Sequence, residues 1–454
     1  MSFCFSRWTP GKNMKPPAFL LTLLLCGTVL QARQLVSDTP DWLSLPQEFN
    51  DRAPSWLRLN GEYRARIEGQ EGLNFKNQND NYLLSRLWIG MTLRPTSWLQ
   101  FFAQTQDSRV FFNRKVSTDP PRQNLFDLHQ AFFELGDLKK GFVGLRVGRQ
   151  ELSFGGERLI GPSRWINAPR VFDAVRVAIQ HSGYRLDLFS SSVVQSRDGV
   201  VDHHSQGDNL HGLYGSVGKL IPKAVIEPYF FWRLEPASLT IGEISRRGRL
   251  NEKTLGFRFM GSLPAQFDYE TEMARQTGSL GADSIHAWAG YWIIGRRFVH
   301  APGKPRLYGE YNYASGDNNP GDHRSQTFDQ IYPSSHDKLG FADLVGWRNI
   351  HNLRLRCDFA LGGKWKIKTS YDNFWLASAY DGLYGSSGTL AIPSANGKAG
   401  RYVGQELDGQ AIYRWNSAVE FSFGYAHLFT GEFLNQTTSG KDFNYPFGSV
   451  SYQF

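Results

Sequence analysis

The stretch "LRLNGEYRARIEG", residues 57–69, alternates without a break. Leu57, Leu59, Gly61, Tyr63, Ala65 and Ile67 fall on one parity. Arg58, Asn60, Glu62, Arg64, Arg66 and Glu68 fall on the other. A period of two is a β-strand with two different faces. A soluble sandwich puts such an apolar row in its core and its arginines in water. A membrane barrel does the reverse, with the apolar row against lipid and the polar row lining a wet lumen. The rest of the chain decides between them.

The 454 residues are 41% hydrophobic with a mean hydropathy of −0.40, too polar for a bundle of membrane helices. The longest apolar run is "AFLLTLLLCGTVL", residues 18–30. It is shorter than the roughly 20 residues a spanning helix needs. Lys12 and Lys15 precede it and small Ala32 follows it, which is the layout of a secretory signal. The expected organisation is a signal peptide over 1–32, with Met14 an alternative start. A periplasmic segment without alternation follows over 33–54, and an outer-membrane β-barrel over 55–454. Leu25 stands before Cys26, where a lipoprotein needs a small residue. With Cys4 and Cys26 in the leader, Cys357 alone remains, which excludes an intrachain disulfide and a paired-cysteine metal site. The net charge is +8, and 34 of the 50 basic residues are arginine. Arginine presents a planar fork that fits carboxylates and phosphates. The basic residues are spread along an exported chain, so nucleic acid is not the expected partner. No cofactor motif is present.

From about residue 55 onward the alternation recurs, in "LWIGMTL" (87–93), "FVGLRVG" (142–148), "AVRVAIQ" (174–180), "LRLRCDF" (353–359), "WKIKTSYD" (365–372) and "VEFSFGY" (419–425). Short turns fall near Arg94–Ser97, Asp137–Lys140, Ser182–Gly183, Lys219–Lys223, Leu263–Gln266, His300–Lys304, Gly362–Gly363 and Asn416–Ser417. Between them lie longer polar stretches, such as 151–172, 194–209, 235–251, 316–349 and 376–403. Alternating short and long connections belong to an up-and-down bacterial barrel with tight periplasmic turns and long outer loops. Eight inner turns and nine outer loops predict eighteen antiparallel strands with both termini periplasmic. The chain ends "FGSVSYQF", with Phe454, Tyr452, Val450 and Gly448 on one parity. An aromatic last residue on a lipid-facing strand is the mark by which barrel-assembly machinery is expected to engage the chain.

With the apolar parity toward lipid, the inward parity collects Arg58, Arg64, Arg66, Arg86, Arg146, Arg176, Arg185, Arg258, Arg354, Arg356, Lys366 and Lys368. It also collects Glu62, Asp187, Asp268, Glu270, Glu272, Glu310, Asp358 and Asp372. The outward parity is expected to carry essentially no charge, since a charge at the bilayer midplane costs about 2–4 kcal/mol. Rings of arginine and lysine favour anions. The expected pore lining is Arg58, Arg64, Arg66, Arg86, Arg146, Arg149, Arg176, Arg185, Arg354 and Arg356, tempered by Glu62, Asp187 and Asp358. The bland alternative is that these arginines satisfy a polar interior or hold a plug.

The segment "FVGLRVGRQELSFGGERLIGPSRWINAPRVFDAVRVAI" (142–179) resembles the strand–GRQ–loop–strand unit of the bacterial alginate export family. "EYNYASGD" (310–317) and "TFDQIYPSSHDKLGFADLVGWRNI" (327–350) resemble the long loop of its porin-like branch. "NFWLA" (373–377) and "GRYVGQELD" (400–408) resemble its later strands. The resemblance spans about residues 55–454. It implies an eighteen-stranded outer-membrane barrel whose electropositive pore passes an anionic polyuronate, and it implies that Arg149 of the GRQ unit lines that pore. The expected partners are the outer-membrane bilayer and an anionic carbohydrate or small anionic solute, with room for a periplasmic protein that delivers it.

Other motifs carry less. "GDNNPGDH" (316–323) offers Asp317, Asn319 and Asp322 as oxygen ligands for Ca²⁺, while turn formation explains the same residues. His203, His204 and His211 form no metal-binding motif. "HSGY" (181–184) supplies a His and a Ser on a short turn, without the orienting group a hydrolase requires. The chain therefore reads as a channel and not as an enzyme. A general diffusion porin of little selectivity is the alternative, with an outer-membrane hydrolase behind it.

Overall fold

A computed structural model describes residues 45–242 and 247–454. The expected signal peptide and residues 33–44 lie outside the described residues. The chain divides into two units, 1–52 and 53–454. Within the first, Leu45–Arg52 is a helix with Glu48 and Arg52 paired one turn apart at 3.7 Å.

Among the described residues of the second unit, the strands are β1 (Leu57–Glu71), β2 (Asn79–Thr96), β3 (Leu99–Phe111), β4 (Asn124–Gly136), β5 (Val143–Gln150), β6 (Phe172–His181) and β7 (Tyr184–Gln195). Next come β8 (His203–Val217), β9 (Ala224–Ile241), β10 (Arg247–Leu263), β11 (Phe267–Leu280), β12 (Asp283–Arg297), β13 (Arg306–Ala314) and β14 (Arg324–Ser325). The last are β15 (Ile350–Leu361), β16 (Trp365–Leu376), β17 (Leu383–Tyr384), β18 (Leu390–Ile392), β19 (Tyr402–Arg414), β20 (Val419–Thr430) and β21 (Phe443–Gln453). Three of these are minor: β14 lies parallel to β12, and β17 pairs only with β18. The other eighteen form one antiparallel circuit in chain order. β13 pairs with β15, β16 with β19, and β21 closes on β1 through Tyr63–Tyr452 and Ala65–Val450. Closure removes the edge strands that an open sheet would leave unpaired. All eight short turns fall where the sequence places them.

The faces follow from the pleat. On β1, Ile67 is 59% exposed while its neighbour Arg66 is 2% exposed. Leu87, Ile89 and Met91 of β2 face out, and Leu353 and Leu355 of β15 do the same. Leu353 and Leu355 sit between inward Asn352, Arg354 and Arg356, as lipid on one side and a polar interior on the other require.

The interior is not simply wet. An eighteen-stranded wall is too wide for its own side chains to fill. Two long connections, 151–171 and 315–349, fold inward and supply the missing volume. Leu152, Phe154, Leu159 and Ile160 from the first pack with Phe328, Tyr332, Leu339, Phe341 and Trp347 from the second. Both sets meet inward Phe172, Phe189, Tyr214, Phe231 and Tyr291 of the wall in one buried cluster. The loops also join each other: Ile160 bridges Tyr332, with the Gly161 N–H donating to the Tyr332 carbonyl at 2.9 Å. Gly340 lets the second loop turn against the wall. Its φ is +86°, and a Cβ there would collide with the Glu406 carboxylate.

Candidate channel lining and solute site

The wall presents its arginines in groups, and each group has a definite occupation. Arg64 and Arg66 of β1 and Arg86 of β2 converge on three carbonyls of the first inward loop. Arg64 donates to the carbonyls of Arg164, Trp165 and Ile166 at 3.0, 3.0 and 3.1 Å. Arg86 donates to those of Arg164 and Ile166 at 2.9 and 3.0 Å, and Arg66 to that of Trp165 at 2.6 Å. A guanidinium spreads its donors over a rigid fork, so one side chain can bind several carbonyls at once. Arg66 also lies flat over the Trp165 ring at 3.9 Å, a cation–π contact. Glu62 pairs with Arg86 and Glu68 with Arg66. Among the described residues the hydrogen bonds of Arg64 go to carbonyls.

A second clamp holds the other loop. Arg354 of β15 is 1% exposed and donates to the carbonyls of Asp337 and Lys338, both at 3.0 Å. Arg356 and Lys368 grip the Asp337 carboxylate. Burial opposes ionisation of that carboxyl, but Arg356, Lys368 and Arg354 hold it well below the usual range. Asp372 and Asp358 neutralise Arg354 and Arg356 from the wall.

The remaining expected pore residues are placed as follows. Arg146 pairs with Glu134 at 2.5 Å. Arg176 and Arg185 share Asp187 at 2.8 and 2.6 Å. Arg58 is exposed at the short-turn end and donates to the Pro54 carbonyl at 2.8 Å. Arg149 is misplaced by the motif resemblance. It stands on the parity of Leu145 and Val147, opposite to that of Arg146 and buried Gln150, so it projects outward. There it pairs with Asp173 at 2.9 Å. The outward row is likewise not free of charge. Asp107, Arg109, Lys253 and Arg275 stand on it toward the long-loop end.

Among the described residues no group of three His, Cys, Asp or Glu is disposed to hold a metal. Asp317 and Asp322 serve the turn itself, accepting from the backbone of Asn319 and Arg324 at 2.9 Å each. His204 lies 3.7 Å from Asp173, and His211 meets Ser190 at 2.9 Å.

What the loops leave open is a vestibule. A cavity of about 1000 Å³ lies between the two inward loops and the wall of β1, β2 and β21. Arg66, Arg122, Arg170 and Arg197 line it, against Glu68 and Asp343, with Tyr82, Trp165 and Tyr445 among its aromatic walls. Among the described residues Arg170 donates to the carbonyls of Gly161 and Pro333. Burial pushes its guanidinium down to about 10, against the pull of Tyr332 and Asp208 and with the help of Arg233. At the short-turn end a second cavity of about 540 Å³ carries Arg297, Lys304, Lys366 and Lys368 against Asp358. A larger apolar depression bordered by Ile294, Leu307, Leu355 and Leu407 is on the outward face and belongs to the lipid side.

The model of the Alginate export family matches residues 55–448. The chain belongs to the alginate export family. Its fold is that of solved Pseudomonas aeruginosa barrels. OpdQ matches with a TM-score of 0.59 at 12% identity, covering 88% of this chain and 97% of that one. OccK3 (OpdO) matches with a TM-score of 0.58 at 12% identity, covering 91% and 99%. The outer membrane protein OprD matches with a TM-score of 0.59 at 10% identity, covering 88% and 94%. No curated protein matches the sequence. Family and fold together make this an outer-membrane channel.

In this family member parity put Arg66 on the inward face and the motif misplaced Arg149, while the loop arginines of the vestibule were missed. Arg122, Arg170 and Arg197 sit on connections, where no period assigns a side chain to a face. The one visible signal was the density of Arg, Trp and Pro in "GPSRWINAPR" (161–170).

Proposed function

We propose that the channel admits small acidic carbohydrates or other carboxylate-bearing solutes through the Arg66–Arg122–Arg170–Arg197 vestibule. The observation that carries this reading is the composition of that cavity, four arginines against two carboxylates with aromatic walls. Arginine forks bind carboxylates with two hydrogen bonds, and aromatic faces suit the apolar side of a sugar ring. The basic cavity at the short-turn end offers a second attraction to an anion leaving the vestibule. Most wall arginines are already matched by carboxylates or loop carbonyls, so they set the shape of the passage and the vestibule sets its selectivity. Uronate oligomers, the class implied by the family, fit this chemistry.

The test is planar-bilayer recording on the R122E/R170E variant. The expected result is a reversal potential shifted toward cations and loss of block by di- and trigalacturonate, with neutral maltotriose showing no change. Retained anion preference and retained block would favour the rival reading, a general diffusion porin.

A further inference from the structure

We propose that the outward surface of β10–β12, at the long-loop end, binds the phosphate groups of a phosphorylated glycolipid in the outer leaflet. This rests on the outer-membrane reading with the long loops outside.

The argument begins with how outward charges are treated elsewhere. Near the same end of the barrel, Arg109 pairs with Asp107 at 2.6 Å and Arg149 with Asp173 at 2.9 Å. Both pairs neutralise themselves. On β10–β12 this fails. Arg249 and Lys253 of β10, Arg275 of β11 and His286 of β12 are exposed on the outward parity, and none forms an ion pair with a described residue. The described acids of these strands stand on the opposite face: Glu252, Glu272 and Asp283 are buried there, and Asp268 and Glu270 pair with Arg306 and Arg258.

The register fixes their height. Lys253 lies directly opposite Trp232 on one side and Thr277 on the other. Arg275 lies opposite Trp288, and His286 opposite Thr277. Lys253 and Arg275 are therefore diagonal neighbours across one strand pair, about 7–8 Å apart along the sheet surface. Trp232 and Trp288 mark the aromatic girdle, and the next outward residue of β10 toward the short turns is Leu255, 66% exposed. The basic cluster thus stands level with the girdle, at the upper border of the apolar belt. Lipid phosphates occupy that level. Two to three cations with no counterion among the described residues, set beside tryptophan and above leucine, complement a phosphate with acyl chains below it. Arginine supplies the bidentate fork and lysine a point charge.

The test is native mass spectrometry of the full detergent-solubilised chain, titrated with bisphosphorylated lipid A and with dephosphorylated lipid A. Wild type is expected to bind the bisphosphorylated form more tightly. Each basic residue near an anionic surface is worth roughly fivefold in affinity, so R249Q/K253Q/R275Q should bind it about a hundredfold more weakly. The D107N/R109Q variant, which removes a self-neutralised pair, should bind as wild type does. Equal affinity for the two lipids, wild-type affinity in the triple variant, or an equal loss in D107N/R109Q would each overturn the proposal. Unchanged conductance of the triple variant in phosphatidylcholine bilayers shows that the barrel is intact. If wild type conducts no ions, the channel reading fails while the lipid comparison still decides this one.

Discussion

Replacing Arg64 and Arg86 together by Met should release the first inward loop. The two side chains make five hydrogen bonds to the carbonyls of residues 164–166. A hydrogen bond from a charged donor contributes about 1.5–3 kcal/mol net. The five do not add, because both arginines share the carbonyls of Arg164 and Ile166. Arg66 and the Asn167 contacts to the backbone of Ser85, Arg109 and Arg122 also remain. A net loss of about 4 kcal/mol is the reasonable scale, which is roughly a thousandfold in the ratio of open to docked loop. Methionine keeps the apolar stem, so packing changes little. Single-channel recording should show a larger and noisier conductance, and hydrogen exchange should accelerate at Trp165 and Ile166. The sign is diagnostic. If the arginines act mainly as free charges for a permeating anion, the double variant conducts less and the loop amides exchange as before. That outcome would refute the clamp.

Three further outcomes follow from the same geometry. R149E should leave reversal potential within error of wild type in planar bilayers, since Arg149 projects outward; a cation shift as large as that of R122E/R170E would return it to the lumen. Burial opposes ionisation of Glu151, but His129 and Arg164 pull its carboxyl down to about 2, from an ordinary value near 4.5. Its contribution to holding the loop is therefore full above about pH 4.5 and is lost as pH falls through about 2. E151Q should lack that acid dependence when loop hydrogen exchange is followed across the interval. Cysteines introduced at Asn319 and Ala395 should label on intact cells and one at Gly183 should not; labelling at Gly183 would invert the proposed topology.

The wall was legible because a membrane barrel imposes a strict period of two. Leu57 to Glu68 could be assigned to faces by parity alone, and the eight short turns carried Gly, Pro, Asn and Lys where a tight reversal needs them. The interior was not legible for a matching reason. Whether Arg64 meets a solute or the Trp165 carbonyl depends on where residues 151–171 travel, and a loop has no period to read. The apolar run of that loop, Leu152, Phe154, Leu159 and Ile160, has the composition of a buried segment. Its spacing fits neither strand nor helix, so its destination in the lumen could not be deduced. Arg149 shows the opposite failure. Its place in the GRQ unit outweighed a parity that was readable, since Val147 and Leu145 share its face. The outward charges at the long-loop end were missed because parity reports the face and not the height above the membrane.

The most direct measurement of the central claim is the reversal potential of the wild-type channel across a tenfold KCl gradient, repeated with trigalacturonate on the long-loop side. The vestibule arginines predict a potential displaced toward that of chloride and a concentration-dependent block that R122E/R170E abolishes. A potential at or beyond zero toward that of potassium, with no block by the acidic sugar, would contradict it.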